Sequence, residues 1–201
     1  MATYAIEKVY IMNLANKLTI SRIVLAAIFI LFLFIQGISA KFAALGLFLL
    51  ACLTDYYDGM IARKTNSSTD FGKLMDPIAD KILILGAFLA FVEMKIIPAW
   101  MVMVIIAREL IITGIRVLAL SKKKVLSADI AGKHKTISQM VAVISILIFL
   151  IMRDSGFIFK YMRHYTKGVH ILMLITVIMT LISGISYMFR NKAVFMGDGN
   201  G

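Results

Sequence analysis

The sequence predicts an all-α integral membrane protein, a single domain over residues 1–201 built as a bundle of six transmembrane helices. The chain is 61% apolar, whereas a soluble domain is usually about half apolar, and its mean hydropathy is +0.91. Its apolar segments approach the roughly 20 residues that a helix needs to cross a bilayer, and lipid favours helices because it offers backbone groups no other partner. The six segments are residues 18–36, 42–61, 74–92, 97–120, 137–152 and 169–189. Ahead of them, Met1–Tyr10 is either a short N-terminal interfacial helix or a frayed extension.

The charge pattern is typical of a membrane protein and does not indicate a nucleic-acid partner. The net charge is +11, but the basic residues stand mainly at the ends of the apolar segments, as expected for contact with anionic headgroups and anionic substrates. An even number of crossings places both termini on one side. The positive-inside rule then assigns them, and the loop after the second segment, to the cytoplasmic side of the cell (inner) membrane. The basic stretch Arg153–Lys167 falls on the opposite side, and the single cysteine, Cys52, excludes a disulfide within the chain.

Five of the eleven acidic residues are concentrated around the loop between the second and third segments, and four of them form two pairs. Asp55 and Asp58 are spaced i,i+3, and Asp76 and Asp80 are spaced i,i+4, so each pair shares one helical face. The polar connection is short, so a helical hairpin would bring the two pairs together. Four converging carboxylates require a cation, and oxygen ligands favour magnesium, manganese or calcium over zinc. Two such ions could bridge the carboxylates and bind a pyrophosphate.

Small and basic residues are interleaved with the aspartates. Gly59, Ala62 and Gly72 lie one or two helical turns from them, where a missing side chain lets a nucleotide or diphosphate approach the backbone. The same residues could instead serve close helix packing. Arg63 could bind phosphate oxygens with its planar guanidinium, or simply extend toward lipid headgroups.

Together these residues resemble the complete signature of the CDP-alcohol phosphatidyltransferases, Asp55-x2-Asp58-Gly59-x2-Ala62-Arg63-x8-Gly72-x3-Asp76-x3-Asp80. The resemblance implies a six-helix membrane enzyme that transfers a phosphatidyl group from CDP-diacylglycerol to an alcohol and releases CMP. It implies that the four aspartates hold two ions of Mg²⁺ or Mn²⁺ at the pyrophosphate, and that Asp80 deprotonates the attacking hydroxyl. The residues alone do not select Asp80 over Asp76. The implied CDP-diacylglycerol-binding residues are Asp58, Gly59, Ala62, Arg63 and Gly72.

A second polar group lies in the fourth and fifth segments. Arg108 and Glu109 stand well inside an apolar stretch, Arg116 follows two turns later, and Lys133 and Lys135 open the fifth segment. Cations inside a membrane bundle need anionic partners. The basic residues could therefore bind a phosphomonoester beside the aspartates. Alternatively, Arg108 pairs locally with Glu109, and the two lysines anchor the fifth helix at the interface.

These residues also indicate which alcohol accepts the phosphatidyl group. The motifs Ala107-Arg108-Glu109-Leu110 and Gly132-Lys133-x-Lys135-Thr136-x2-Gln139 resemble the branch of the family that makes phosphatidylglycerophosphate. The implied acceptor is sn-glycerol 3-phosphate, bound by Arg108, Arg116, Lys133 and Lys135.

The same residues are compatible with other acceptors and with other classes of protein. Inositol phosphate, serine and phosphatidylglycerol are alternative acceptors for the same chemistry. A more distant alternative is an aspartate-rich membrane prenyltransferase, which would lack the interleaved Gly-Ala-Arg residues. A cation transporter would need a polar path to the outer face, where these helices are apolar apart from Arg108 and Glu109. The resemblance also suggests a homodimer, which apolar outer faces permit.

Overall fold

A computed structural model describes the backbone of residues 21–65, 70–121, 130–157 and 162–191. Side chains are described over residues 21–54, 81–117, 135–157 and 162–191 and at Ala119. The expected interfacial helix at Met1–Tyr10 lies outside the described residues, as do residues 66–69 of the loop between the second and third segments.

The described residues form six helices and no strand, which confirms the all-α prediction. The helices are α1 (Ser21–Phe34), α2 (Ile38–Thr65), α3 (Asp70–Glu93), α4 (Ala99–Ser121), α5 (Ile130–Asp154) and α6 (Met162–Arg190). Within them, Lys135–Asp154 and the whole of α6 are long and apolar enough to cross a membrane. The described part of the chain is thus all-helical and contains two candidate membrane spans.

The helices from α2 to α6 reach beyond the predicted apolar segments at one or both ends. The largest differences are at the starts of α5 and α6, which begin seven residues before the predicted 137 and 169. Hydropathy marks only the lipid-facing length, whereas a helix continues through polar turns as long as its backbone hydrogen bonds do. Arg163 and Lys167, expected in an outer loop, therefore lie in the first turns of α6.

Two tight connections are held by specific backbone and side-chain contacts. Between α1 and α2, Gly37 has a φ of 106°, a conformation that favours glycine. The buried Lys41 donates hydrogen bonds from Nζ to the carbonyls of Leu33 and Ile35 at the end of α1. Between α3 and α4, Lys95 has a φ of 56° at the position after the helix where glycine is usual.

The helices group into two compact units. The first contains α1, α2, most of α3 and the C-terminal end of α5. Its core is formed by residues at helical spacing, and the Phe29 and Phe48 rings lie 5.5 Å apart between centroids. α1 also approaches α3 closely, because a Cβ at Gly86 would lie 2.7 Å from the Cδ1 atom of Ile30.

The second unit contains the last residues of α3, together with α4, the larger part of α5 and α6. α4 and α6 pack against each other, and Ile112, Ile115 and Tyr187 form a buried apolar cluster. Large apolar side chains such as Met103 and Ile171 are exposed on these helices, at 65% and 60%. Apolar surface of this kind is what a helix presents to lipid.

Candidate functional site

The residues of the predicted donor site lie on two consecutive helices of the first unit. α2 carries Asp55, Asp58, Gly59, Ala62 and Arg63, and α3 carries Gly72, Asp76 and Asp80. The helical backbone agrees with the same-face spacing predicted for each aspartate pair. The side chains of residues 55–80 lie outside the described part of the chain. Among the described side chains, no group of three or more His, Cys, Asp or Glu is placed to hold a metal ion, so the metal site at the aspartates stays a prediction.

The second unit contains a buried group of charges, the cationic cluster, formed by Arg108, Glu109 and Lys135. The Nη1 atom of Arg108 lies 3.2 Å from Oε1 of Glu109, and Nζ of Lys135 contacts the same oxygen. None of the three side chains is more than 10% exposed. Oε1 of Glu109 therefore links Arg108 of α4 to Lys135 near the start of α5.

The helical spacing explains why these charges are buried. Glu109 lies on the face of α4 that also buries Ile105 and Ile112, one turn before and after it. Lys135 lies one turn before the buried Gln139 on α5. Because the neighbouring residues on each face are buried, the charged residues between them are buried in the core of the unit as well. A charge in such a core is unfavourable without a partner.

The cationic cluster contains more cations than carboxylates. It holds two cations and one carboxylate, so its formal charge is +1. Guanidinium and ammonium groups such as these donate strong, charge-assisted hydrogen bonds to phosphate oxygens. The arrangement suits a phosphate group better than a neutral alcohol.

Two other residues of the predicted acceptor site are placed differently. Arg116 lies about two turns further along α4, and its side chain is exposed. Lys133 lies in the first turn of α5, and its side chain is outside the described residues. The structure thus brings Arg108 and Lys135 together and leaves Arg116 outside their ion-pair contacts.

Sequence reasoning missed the contribution of α6 to the cationic cluster. The Nη2 atom of Arg108 donates a hydrogen bond to the Ser183 hydroxyl at 2.8 Å, and Arg108 also lies against Gly184. A signal was present in the sequence, because polar and small residues recur at helical spacing in this otherwise apolar segment. These residues are Thr176, Thr180, Ser183, Gly184 and Tyr187, all buried.

Comparison with known proteins agrees with the signature on α2 and α3. A family model described as CDP-alcohol phosphatidyltransferase matches residues 12–182. A Bacillus subtilis protein named CDP-diacylglycerol–glycerol-3-phosphate 3-phosphatidyltransferase is 40% identical over 68% of this chain and 77% of its own length. A Rickettsia typhi protein of the same name is 39% identical over 91% of this chain and 99% of its own. A Mycobacterium tuberculosis protein named probable phosphatidylglycerophosphate synthase is 34% identical over 90% and 82%, respectively.

Proposed function

Because the chain belongs to the CDP-alcohol phosphatidyltransferase family, we propose that it transfers a phosphatidyl group from CDP-diacylglycerol to sn-glycerol 3-phosphate. The products are phosphatidylglycerophosphate and CMP. The observation that carries the proposal is the complete aspartate signature on α2 and α3, in a chain whose relatives are named for this reaction over most of its length. The two cations of the cationic cluster, which are suitable donors to phosphate oxygens, support an acceptor that carries a phosphate.

The donor is assigned to α2 and α3. Gly59, Ala62 and Gly72 leave room for the cytidine nucleotide, Arg63 binds phosphate oxygens, and Asp58 contributes to both nucleotide and metal binding. Asp55, Asp58, Asp76 and Asp80 form a set of hard oxygen donors that fits two Mg²⁺ or Mn²⁺ ions. When bound, such ions neutralise the pyrophosphate and the departing CMP oxygen.

In the proposed reaction the primary hydroxyl of glycerol 3-phosphate attacks the phosphorus that bears the diacylglycerol. The bond from that phosphorus to the CMP oxygen breaks, and the hydroxyl proton passes to Asp80. A carboxylate can accept this proton as the new bond to phosphorus develops. Asp80 thus acts as general base and also belongs, with the other three aspartates, to the set that would hold the metal ions.

The acceptor phosphate is assigned to the second unit. Arg108 and Lys135 are buried cations that share one carboxylate oxygen, and a phosphomonoester carries a charge of about −1.5 to −2 at neutral pH. Its oxygens would accept hydrogen bonds from these two cations. Arg116 and Lys133, on the neighbouring turns of α4 and α5, complete the proposed set.

We assign the chain to the cytoplasmic (inner) membrane as a multi-pass protein with six spans, a cytoplasmic active site and a homodimeric state. The charge bias of the loops and the exposed apolar side chains support this topology. Single cysteines introduced at residues 64 and 95 of a Cys52→Ser chain test it. In intact cells an impermeant maleimide should label position 95 and spare position 64, and the reverse pattern would contradict the orientation. Light scattering of the purified protein in detergent tests the dimer.

The proposed reaction is tested by supplying purified protein with CDP-diacylglycerol, Mg²⁺ and one acceptor at a time. CMP release should require glycerol 3-phosphate, with inositol phosphate, serine and phosphatidylglycerol as the comparison acceptors. Turnover with one of these and none with glycerol 3-phosphate would refute the acceptor assignment. Asp80→Asn should abolish turnover, and a near-normal rate in that variant would show that Asp80 is not the base.

A further inference from the structure

One face of α6 is polar and buried although the helix is apolar as a whole. Thr180, Ser183, Gly184 and Tyr187 are spaced three or four residues apart and lie on that face. Thr180, Ser183 and Tyr187 are 0%, 1% and 4% exposed, respectively. Polar groups buried in a membrane helix are unfavourable unless they find partners, so this face calls for a polar neighbour.

Arg108 of α4 is that neighbour. Besides its hydrogen bond to the Ser183 hydroxyl, it runs alongside Gly184. A Cβ at residue 184 would lie 2.9 Å from Cγ of Arg108 and 3.4 Å from its Nε. Cγ lies near the root of the arginine side chain, so it cannot move aside without displacing the guanidinium. Gly184 is therefore the residue that permits the observed position of Arg108.

Several polar atoms in this region lack a hydrogen-bond partner among the described residues. They include Nε of Arg108, Oγ1 of Thr180 and Oη of Tyr187, all of which are buried. Thr180 and Tyr187 lie one turn on either side of Ser183 and Gly184. Native proteins rarely leave buried donors unsatisfied, so three such atoms along one face indicate a bound polar group.

We propose that this face of α6 is a subsite for the phosphate-bearing acceptor. Ser183 and Gly184 hold the guanidinium of Arg108 so that its Nε donates to a phosphate oxygen, while the hydroxyls of Thr180 and Tyr187 hydrogen-bond other oxygens of the acceptor. This inference rests on the proposed function and adds α6 to the acceptor site. Ser183 and Gly184 are positioning residues, since they act through Arg108.

Two substitutions on α6, each with a matched control on the same helix, test the subsite. Gly184→Ala should raise KM for glycerol 3-phosphate by about tenfold, the scale expected when a charge-assisted hydrogen bond is lost. Gly168→Ala is its control, because a Cβ there meets no atom within 4 Å. Tyr187→Phe removes only a hydroxyl and should raise the same KM about threefold, while Tyr165→Phe, at an exposed position, should leave it unchanged.

The donor KM separates an acceptor subsite from a site for lipid phosphates. KM for CDP-diacylglycerol should stay within about twofold of the wild type in all four variants, since their positions lie outside the proposed donor residues. A rise in that KM alone would assign the α6 face to the donor lipid and overturn the acceptor subsite.

Binding of glycerol 3-phosphate without turnover provides a second readout. The ligand should raise the melting temperature of the wild type and of Gly168→Ala, because a ligand that binds only the folded state stabilises it, and it should raise that of Gly184→Ala less. Ser183→Ala replaces a side chain by a smaller one that fits the same space, and glycerol 3-phosphate should raise its melting temperature as little as that of Gly184→Ala. This variant keeps the test valid if Gly184→Ala fails to fold.

Different results would refute the proposed function and the α6 subsite. If the wild type releases CMP with glycerol 3-phosphate but Gly184→Ala and Ser183→Ala match Gly168→Ala in KM and ligand-induced stabilisation, the α6 subsite is wrong and the proposed function stands. If the wild type does not use glycerol 3-phosphate at all, the proposed function fails, and the α6 subsite for that acceptor fails with it.

Discussion

Glu109 is the residue on which the cationic cluster depends, and Glu109→Gln is its most informative perturbation. Glutamine keeps the shape of the side chain and removes the negative charge that Arg108 and Lys135 share. At 3.2 Å and an effective dielectric constant of about 20, the Arg108–Glu109 attraction alone is about 5 kcal/mol. Removing one partner of a buried ion pair usually costs about 3–5 kcal/mol, because the other charge stays buried. We expect Glu109→Gln to lower the free energy of unfolding by that amount.

The assay is unfolding in detergent, followed by helical circular dichroism or by melting temperature. The control is Glu93→Gln, which removes an exposed carboxylate at the end of α3 and should change stability by less than about 0.5 kcal/mol. The double variant Glu109→Gln/Lys135→Met returns the cationic cluster to a formal charge of +1. It should therefore be more stable than Glu109→Gln alone.

Two results would refute this reasoning. If Glu109→Gln unfolded like Glu93→Gln, the carboxylate would not be compensating buried charge. If the double variant lost as much stability as the two single variants added together, Glu109 and Lys135 would be energetically independent, contrary to their contact.

Three further predictions concern other parts of the chain. Lys41→Met removes the hydrogen bonds to the carbonyls at the end of α1 and should lower the free energy of unfolding by about 1.5–3 kcal/mol. The control Lys167→Met, at an exposed position, should leave the free energy of unfolding nearly unchanged. Equal melting temperatures for the two variants would contradict the capping role of Lys41. Lys95→Gly relieves a left-handed backbone conformation and should raise stability by about 1 kcal/mol, an effect that Lys95→Ala should not reproduce. Arg116→Gln should raise KM for glycerol 3-phosphate about tenfold without changing the unfolding midpoint, because its side chain is exposed; an unchanged KM would remove Arg116 from the acceptor site.

Sequence reasoning located the helices better than it located their ends. Apolar segments near bilayer length are a strong signal, and every predicted segment overlaps a helix of the structure. Helix ends are set instead by local caps that hydropathy does not register. The Lys41 side chain at the end of α1 and the positive φ of Lys95 after α3 are both of this kind.

The predicted site was strongest where the chemistry is concentrated in sequence. The spacing of the four aspartates identifies their site in the sequence. Because Arg108 and Glu109 are adjacent in the sequence, their pairing was one of the predicted alternatives. Lys135 was grouped with Arg108 in the predicted acceptor site, but its contact with Glu109 was not predicted, and neither was the contact of Ser183 with Arg108. These contacts connect α4 to α5 and α6 across long sequence separations. Gly184 has no side chain that a sequence pattern could identify. Its proposed role follows only from the short distance between a Cβ placed at residue 184 and the side chain of Arg108.

The central claim is that the hydroxyl of glycerol 3-phosphate displaces CMP from CDP-diacylglycerol, and an isotope label tests it most directly. Purified protein is given CDP-diacylglycerol and glycerol 3-phosphate carrying ¹⁸O in its primary hydroxyl, and the masses of the lipid product and of CMP are measured. The account predicts labelled phosphatidylglycerophosphate and unlabelled CMP. Formation of no such lipid, or of a lipid without the label, would contradict it.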